Sequence, residues 1–144
     1  MEILYIDDDV DDIEFFEEAL RNIDPSIQFK YAKGCGEAFI NLTDSPVKPD
    51  AIFIDLHLPK VEGLECIKMI KESDDLKHIS IIVLSGTISS KQVDDFNKLG
   101  VYYFLSKSAL LSDITPALKV IIDSLCKNEN KMHQPSSNQD PSLN

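Results

Sequence analysis

The chain has 144 residues, which fits one domain of the usual size of about 100–200 residues. Its hydrophobic fraction of 43% is ordinary for a soluble globular protein, no run approaches the roughly 18 apolar residues of a membrane span, and no export signal is visible. The net charge of −11 argues against nonspecific binding to nucleic acid or acidic membranes. We therefore expect a cytoplasmic protein that binds neither nucleic acid nor membranes.

Short apolar runs alternate with helical patterns along the chain. A run of this length, rich in branched and aromatic side chains and bounded by turn residues, is typical of a buried parallel strand. The second run alternates apolar and polar residues, which predicts an edge strand with one polar face. The runs cover residues 3–6, 27–32, 51–54, 79–84 and 101–105.

Each run is followed by apolar residues at helical spacing, which predicts a helix. The fourth helix has an N-cap signal at Ser89 and Ser90 and a stop signal at Gly100. Five strand–helix units predict an α/β fold with a doubly wound parallel sheet. We assign residues 1–127 to this domain and expect the polar segment 128–144 to be a disordered tail.

The cysteines Cys35, Cys66 and Cys126 are odd in number and form no C-x-x-C motif. A disulfide framework or a zinc site is therefore not expected. Cys66 falls in an apolar helical pattern and is predicted to be a small core residue. This pattern suits a reducing cytosol.

Residues suited to phosphoryl transfer follow four of the apolar runs. Acidic residues follow the first run and the third, a serine ends the fourth, and a lysine follows the fifth. In an open parallel sheet, functional residues gather beyond the carboxyl ends of the strands. The sequence therefore predicts that carboxylates, a hydroxyl and an ammonium group meet at one edge: Asp7, Asp8, Asp9, Asp55, Ser85 and Lys107.

In this order, the strand-end residues resemble the receiver domain of two-component response regulators, most closely the free-standing, chemotaxis-regulator-like kind. The resemblance covers about residues 2 to 125 and implies a flavodoxin-like fold with a five-stranded parallel sheet in the order 2-1-3-4-5. The residues that carry it are Asp7, Asp8, the segment Asp55-Leu56-His57-Leu58-Pro59, then Gly63, Ser85, Gly86 and Lys107.

The resemblance implies that Asp55 is the phosphoacceptor, because a carboxylate can attack phosphorus and form an acyl phosphate. It also implies an Mg²⁺ ion, which takes oxygen ligands and keeps several waters. Asp8 and Asp55 would bind this ion together with the backbone carbonyl of His57. Asp7 would act directly or through a water.

Lys107 is expected to pair with Asp55 and later with a phosphoryl oxygen, since lysine is a flexible point charge. The Ser85 hydroxyl is expected to donate to a phosphoryl oxygen. Three positions depart from the family pattern. Ser85 stands where threonine is commoner, which keeps the hydroxyl. Ser108 stands where a proline with a cis peptide bond usually follows the lysine, and Phe104 stands at the switch aromatic without a hydroxyl. These departures concern the output geometry rather than the phosphorylation chemistry.

The function implied is that of a response regulator receiver in a two-component system. It would accept a phosphoryl group from a phosphohistidine on a sensor histidine kinase or a histidine phosphotransfer protein. It would signal by binding an output protein, whose identity stays open, or by relaying the phosphate. It would catalyse only its own phosphorylation and dephosphorylation.

Two alternatives remain open. A small aspartate-nucleophile phosphatase of the haloacid dehalogenase type would use Asp7 and Asp9 after the first strand, with Ser85 and a later lysine, but it needs a late acidic pair and gives Asp55 no role. A degenerate receiver could act only as a binding module, although the complete residue set argues against degeneracy. The acids from Asp9 to Asp12 have a simpler explanation, because acids are favoured at a helix N-terminus.

Overall fold

Strands and helices alternate along the whole described chain. The structure is a computed structural model, and it describes residues 1–58, 63–86, 89–107 and 113–130. The fourth helix begins at Ser90, at the predicted N-cap signal. The elements are β1 (Glu2–Ile6), α1 (Val10–Ile23), β2 (Gln28–Ala32), α2 (Cys35–Asp44), β3 (Ala51–Asp55), α3 (Gly63–Glu72), β4 (Ser80–Ser85), α4 (Ser90–Leu99), β5 (Tyr103–Ser106) and α5 (Thr115–Asn130).

The five strands form one parallel sheet in the order β2-β1-β3-β4-β5. This order confirms the predicted flavodoxin-like, doubly wound fold. Every residue of the central strand β3 is buried, whereas β2 lies at the sheet edge as predicted. The alternation in β2 is only partly confirmed, because Tyr31 is 46% exposed at this uncovered edge while Phe29 packs against the core.

The sheet separates two hydrophobic layers. Alternate residues of β3 face opposite sides, with Ile52 and Ile54 packing toward α2, α3 and α4. Ala51 and Phe53 pack toward α1 and α5. This arrangement follows from the two-residue period of a strand covered on both faces. Among the residues described, no helix has both the length and the apolar character needed to cross a bilayer.

The helix ends follow the predicted signals at α4 and depart from them at α5. The Ser89 side chain accepts a hydrogen bond from the backbone N–H of Gln92, whose own side chain completes a capping box. Gly100 ends α4 in the left-handed region at φ 79°. Helix α5 continues to Asn130, so residues 128–130 are helical rather than part of a disordered tail. The rest of the expected tail, 131–144, lies outside the described residues.

Cys35 and Cys66 form a disulfide bond, which corrects the expectation that the cysteines stay unpaired. Cys66 is buried as predicted, but as half of a cross-link rather than as a lone core residue. The two cysteines are 31 positions apart, and α2 and α3 bring their Cα atoms within 5.8 Å, inside the usual range of about 4.4–6.8 Å. The odd number of cysteines and the lack of a C-x-x-C motif do not reveal such a pair, because the packing of two helices brings the cysteines together.

Candidate functional site

Three carboxylates meet where β1 and β3 end. Because Ile6 pairs with Ile54, the residues that follow them lie side by side at one edge of the sheet. Asp7, Asp8 and Asp55 each offer an oxygen, and these atoms lie within 4.8 Å of one another. Asp7 is fully buried and Asp55 is 4% exposed, whereas Asp8 is exposed. The predicted convergence of carboxylates is therefore present.

Both oxygens of the Asp55 carboxylate accept hydrogen bonds. The backbone N–H of His57 donates to Oδ1 at 3.1 Å, and Lys107 Nζ donates to Oδ2 at 3.0 Å. Burial raises the pKa of the Asp55 carboxyl, although the hydrogen bonds from Lys107 and His57 favour its charged form. The His57 side chain is exposed, so the backbone of this residue is the part that contacts Asp55.

Gly63 permits a close approach of α3 to the end of β3. Its backbone N–H donates to the carbonyl oxygen of Leu56 at 2.9 Å. A Cβ atom at this position would lie 2.7 Å from both the Asp55 carbonyl oxygen and the Leu56 Cα. Only glycine fits without moving the backbone beside the phosphoacceptor candidate, which explains why the motif after Asp55 contains this residue.

Asp7 is a buried carboxylate with several donors, one of which the sequence analysis missed. The Tyr5 hydroxyl donates to Asp7 Oδ2 at 2.7 Å, and the backbone N–H of Asp9 donates to Oδ1 at 3.0 Å. Burial, reinforced by the Asp7 charge, raises the pKa of Tyr5, so the phenol stays a neutral donor. The available signal was a tyrosine two residues before an acid in a buried strand, because such residues share a face and a buried hydroxyl needs a partner.

Tyr5→Phe is expected to lower the free energy of unfolding by about 1.5–3 kcal/mol, the usual contribution of a hydrogen bond to a charged group. The ring would keep its stacking on Phe16, at a centroid distance of 4.4 Å, so the loss reports the hydroxyl alone. Urea unfolding of both proteins measures the difference. Tyr31→Phe, at an exposed tyrosine of the edge strand, is the matched control, and an equal change in the two variants would contradict this role.

Lys107 joins three carboxylates at the edge of the site. Ser85 pairs with Ser106 across β4 and β5, so Lys107 follows directly at the carboxyl end of β5. Its Nζ lies 2.7 Å from Asp12, 3.0 Å from Asp7 and 3.0 Å from Asp55. Burial alone would lower the pKa of Lys107, but the three carboxylates outweigh it and raise the pKa. Asp12 was not among the predicted site residues.

Ser85 and Phe104 occupy the neighbouring strands. Ser85 is buried at the end of β4, one residue beyond the partner of Asp55 in the ladder. Phe104 is partly buried and packs against Phe96 of α4 at a ring-centroid distance of 5.8 Å. Ser108, which stands where a proline usually follows the lysine, lies outside the described residues. The fold therefore brings the predicted hydroxyl to the same edge as the carboxylates and the ammonium group.

Comparison with known proteins supports one family. Among curated proteins, Rcp1 of Synechocystis sp. is 37% identical over 67 residues, which are 46% of this chain and 46% of Rcp1. The alignments span about half the length of the first curated relatives. The structure of a phosphorylated cyanobacterial phytochrome response regulator, RcpA, is 31% identical with a TM-score of 0.75 over 83% of this chain and 89% of that one.

The structure of the Mn²⁺-bound form of Rcp1 is 27% identical with a TM-score of 0.73, over 83% of this chain and 90% of that one. The family model for the response regulator receiver domain matches residues 3–119, which is most of the chain. The strand order, the carboxylate cluster and the position of Lys107 agree with that match. The chain therefore belongs to the response regulator receiver domain family of two-component signalling.

Proposed function

We propose that this receiver domain accepts a phosphoryl group on Asp55 and signals through the resulting change in shape. The observation that carries the proposal is the carboxylate of Asp55, which is nearly buried between Asp7, Asp8 and the ammonium group of Lys107. An isolated buried carboxylate is costly to a fold. A cluster of three acids, two of which share the Lys107 ammonium group, therefore favours a chemical role over a structural one.

In the proposed transfer, an Asp55 oxygen attacks phosphorus and forms an acyl phosphate. The bond between phosphorus and the donor's leaving group breaks, and the leaving group keeps the electron pair. Lys107 contributes positive charge beside the developing negative charge, and the Ser85 hydroxyl is expected to donate to a phosphoryl oxygen. Phosphoryl transfer needs mainly positioning and electrostatic stabilisation, which these side chains can supply.

The carboxylate cluster fits a hard divalent cation. Asp8 and Asp55 are proposed to hold Mg²⁺ with the backbone carbonyl of His57. Asp7 is proposed to act directly or through a water, because its carboxylate belongs to the same cluster. The cation would neutralise the charge repulsion between the acids and the phosphoryl group. The Mn²⁺-bound form of the relative Rcp1 is consistent with such a site.

The proposed phosphate source is a phosphohistidine on a sensor histidine kinase or a histidine phosphotransfer protein in the cytoplasm. The output would be binding of a partner protein or relay of the phosphate. If Ser85 moves toward the phosphoryl group, the loop after β4 moves with it, and Phe104 with its neighbour Phe96 is the aromatic pair placed to respond.

The hydrogen bonds that Asp9 accepts disfavour the phosphatase alternative. Its Oδ1 accepts hydrogen bonds from the backbone N–H groups of Asp11 and Asp12, at 2.9 and 3.2 Å. Asp9 therefore caps α1, and among the described residues the cluster of possible metal ligands consists of Asp7, Asp8 and Asp55. A phosphatase of that type would need Asp9 as its second acid, but Asp9 caps the helix. Asp55, which has no role in such a phosphatase, belongs to the carboxylate cluster.

The proposal is tested by following phosphate incorporation from acetyl phosphate by intact mass, with Mg²⁺ and with a chelator. We expect incorporation in the parent only when Mg²⁺ is present. Asp8→Ala should abolish both Mg²⁺ binding and the incorporation. Without Mg²⁺ this variant should be at least as stable as the parent, because the lost carboxylate is exposed and crowded by Asp7 and Asp55.

The control for Asp8→Ala is Asp11→Ala, at an exposed acid of the same segment. It should bind Mg²⁺ and take up phosphate like the parent. A clear loss of stability in Asp8→Ala without Mg²⁺, measured by thermal unfolding, would contradict the view that the acids are crowded for function. Phosphate incorporation at the same level with the chelator as with Mg²⁺ would contradict the proposed role of the cation.

A further inference from the structure

The ammonium group of Lys107 contacts three carboxylates at once. Its Nζ lies 2.7 Å from Asp12 Oδ2 and 3.0 Å from an oxygen of both Asp7 and Asp55. A lysine ammonium has three N–H donors, so these contacts can use all of them. Asp7 and Asp55 belong to the predicted site. Asp12 comes from the first turn of α1 and has the shortest of the three contacts.

Asp12 is held in place for this contact by the helix that carries it. Its side chain is 16% exposed, whereas the neighbouring Asp11 is exposed. The cap of α1 is supplied by the Asp9 side chain, so the Asp12 carboxylate is not needed as a cap. The next residue, Ile13, is buried in the core and fixes the backbone of this turn. The carboxylate of Asp12 is therefore presented to Lys107 from a rigid element.

We propose that Asp12 is a positioning residue that keeps the Lys107 ammonium beside Asp55 throughout phosphoryl transfer. This inference rests on the proposed function. Asp55 is the partner that the reaction alters, because its attacking oxygen becomes bonded to phosphorus while the leaving group departs with the electron pair. Asp7 and Asp12 keep their charges and hold two of the three donors. The third donor stays aimed at the new phosphoryl group, and Lys107 keeps its proton.

A second anchor matters because the lysine side chain is long and flexible. Asp7 is a shared anchor, since its Oδ2 also accepts the hydrogen bond from the Tyr5 hydroxyl. With one shared contact, the ammonium group could swing away once Asp55 had reacted. With Asp12 as a second contact from α1, the charge stays where the transfer needs it, as preorganised stabilisation requires.

Three variants test the inference: Asp12→Ala, Asp12→Asn and the control Asp11→Ala. Initial rates of phosphate incorporation from phosphoramidate are measured by intact mass with Mg²⁺ in excess. We expect Asp12→Ala to lower the maximal rate about tenfold, well below the roughly 100-fold that a larger misplacement can cost, with no change in the half-saturating phosphoramidate concentration. Asp12→Asn should recover most of the rate, because its amide oxygen still accepts a hydrogen bond from Lys107.

A second readout follows the Lys107 ammonium itself by nitrogen-15 NMR, without phosphorylation. Its signal should be sharp in the parent, in Asp11→Ala and in Asp12→Asn, and broader in Asp12→Ala, because the ammonium then keeps two contacts, with Asp7 and Asp55, instead of three. Equal rates in Asp12→Ala and Asp11→Ala would overturn the inference, as would failure of Asp12→Asn to recover the rate. Should alanine prevent folding, Asp12→Ser, whose side chain is too short to reach Lys107, takes its place.

The two proposals fail in different ways. If the parent takes up no phosphate, the proposed function is wrong, and the NMR signal alone decides whether Asp12 anchors Lys107. If the parent takes up phosphate and the Asp12→Ala rate equals that of the parent, the phosphoacceptor proposal stands and the positioning role of Asp12 is wrong.

Discussion

Lys107→Met is expected to lower the free energy of unfolding by about 3 kcal/mol at neutral pH without Mg²⁺. Removing one partner of a buried ion pair costs about 3–5 kcal/mol, because a charge is left uncompensated in the interior. The lower end applies because the Lys107 side chain is 22% exposed. Asp7 and Asp55 would lose the ammonium group that they share, while methionine would keep the packing of the side-chain stem. Urea unfolding measures the change.

Mg²⁺ should restore part of the stability lost in Lys107→Met, because the cation can neutralise the same carboxylates. The matched control is Lys119→Met. Lys119 is an exposed lysine that pairs with Asp123 at 3.2 Å one helical turn away, an arrangement usually worth about 0.3–0.5 kcal/mol. Equal losses in the two variants would show that the ammonium of Lys107 does not compensate buried charge.

Asp55→Asn is expected to reduce phosphate incorporation from acetyl phosphate to the background level. The neutral amide is a far poorer nucleophile than the carboxylate, so no acyl phosphate can form at this position. Mg²⁺ affinity should fall as well, since one of the three clustered carboxylates is lost. The fold should survive, because the single amide oxygen can still accept the backbone hydrogen bond from His57, and Lys107 keeps its contacts with Asp7 and Asp12. Intact mass and an Mg²⁺ titration measure the two effects.

Asp75→Asn, at an exposed acid between α3 and β4, is the control for Asp55→Asn. It removes the same charge outside the carboxylate cluster and should incorporate phosphate like the parent. Retention of phosphate in Asp55→Asn at the parent rate would mean that another residue is the acceptor.

The fold could be predicted because its signals are local and repeated. Buried runs, helical spacing and caps such as Ser89 and Gly100 each report one element, and the alternation of strands and helices restricts the topology. The site could be predicted from one rule, that residues after parallel strands meet at one edge. That rule brought Asp7, Asp55 and Lys107 together from distant parts of the sequence.

The features that were missed depend on packing between elements. Asp12 had an adequate local explanation as an acid at a helix N-terminus, and only the approach of Lys107 shows its other contact. Tyr5 looked like any aromatic residue of a strand until its hydroxyl was placed against Asp7. Cys35 and Cys66 pair because two helices lie side by side. The contacts of Asp12 and of the two cysteines do not follow from spacing along the chain, whereas the two-residue spacing of Tyr5 and Asp7 places them on one face.

The most direct test of the account is to locate the phosphoryl group in the protein treated with acetyl phosphate and Mg²⁺. Borohydride reduces an aspartyl phosphate to homoserine, and peptide mass spectrometry then identifies the residue that carried it. We expect homoserine at position 55 and unchanged aspartate at Asp7, Asp8 and Asp12. Homoserine at position 7 would instead indicate the phosphatase-type nucleophile and would contradict the assignment of Asp55 as phosphoacceptor.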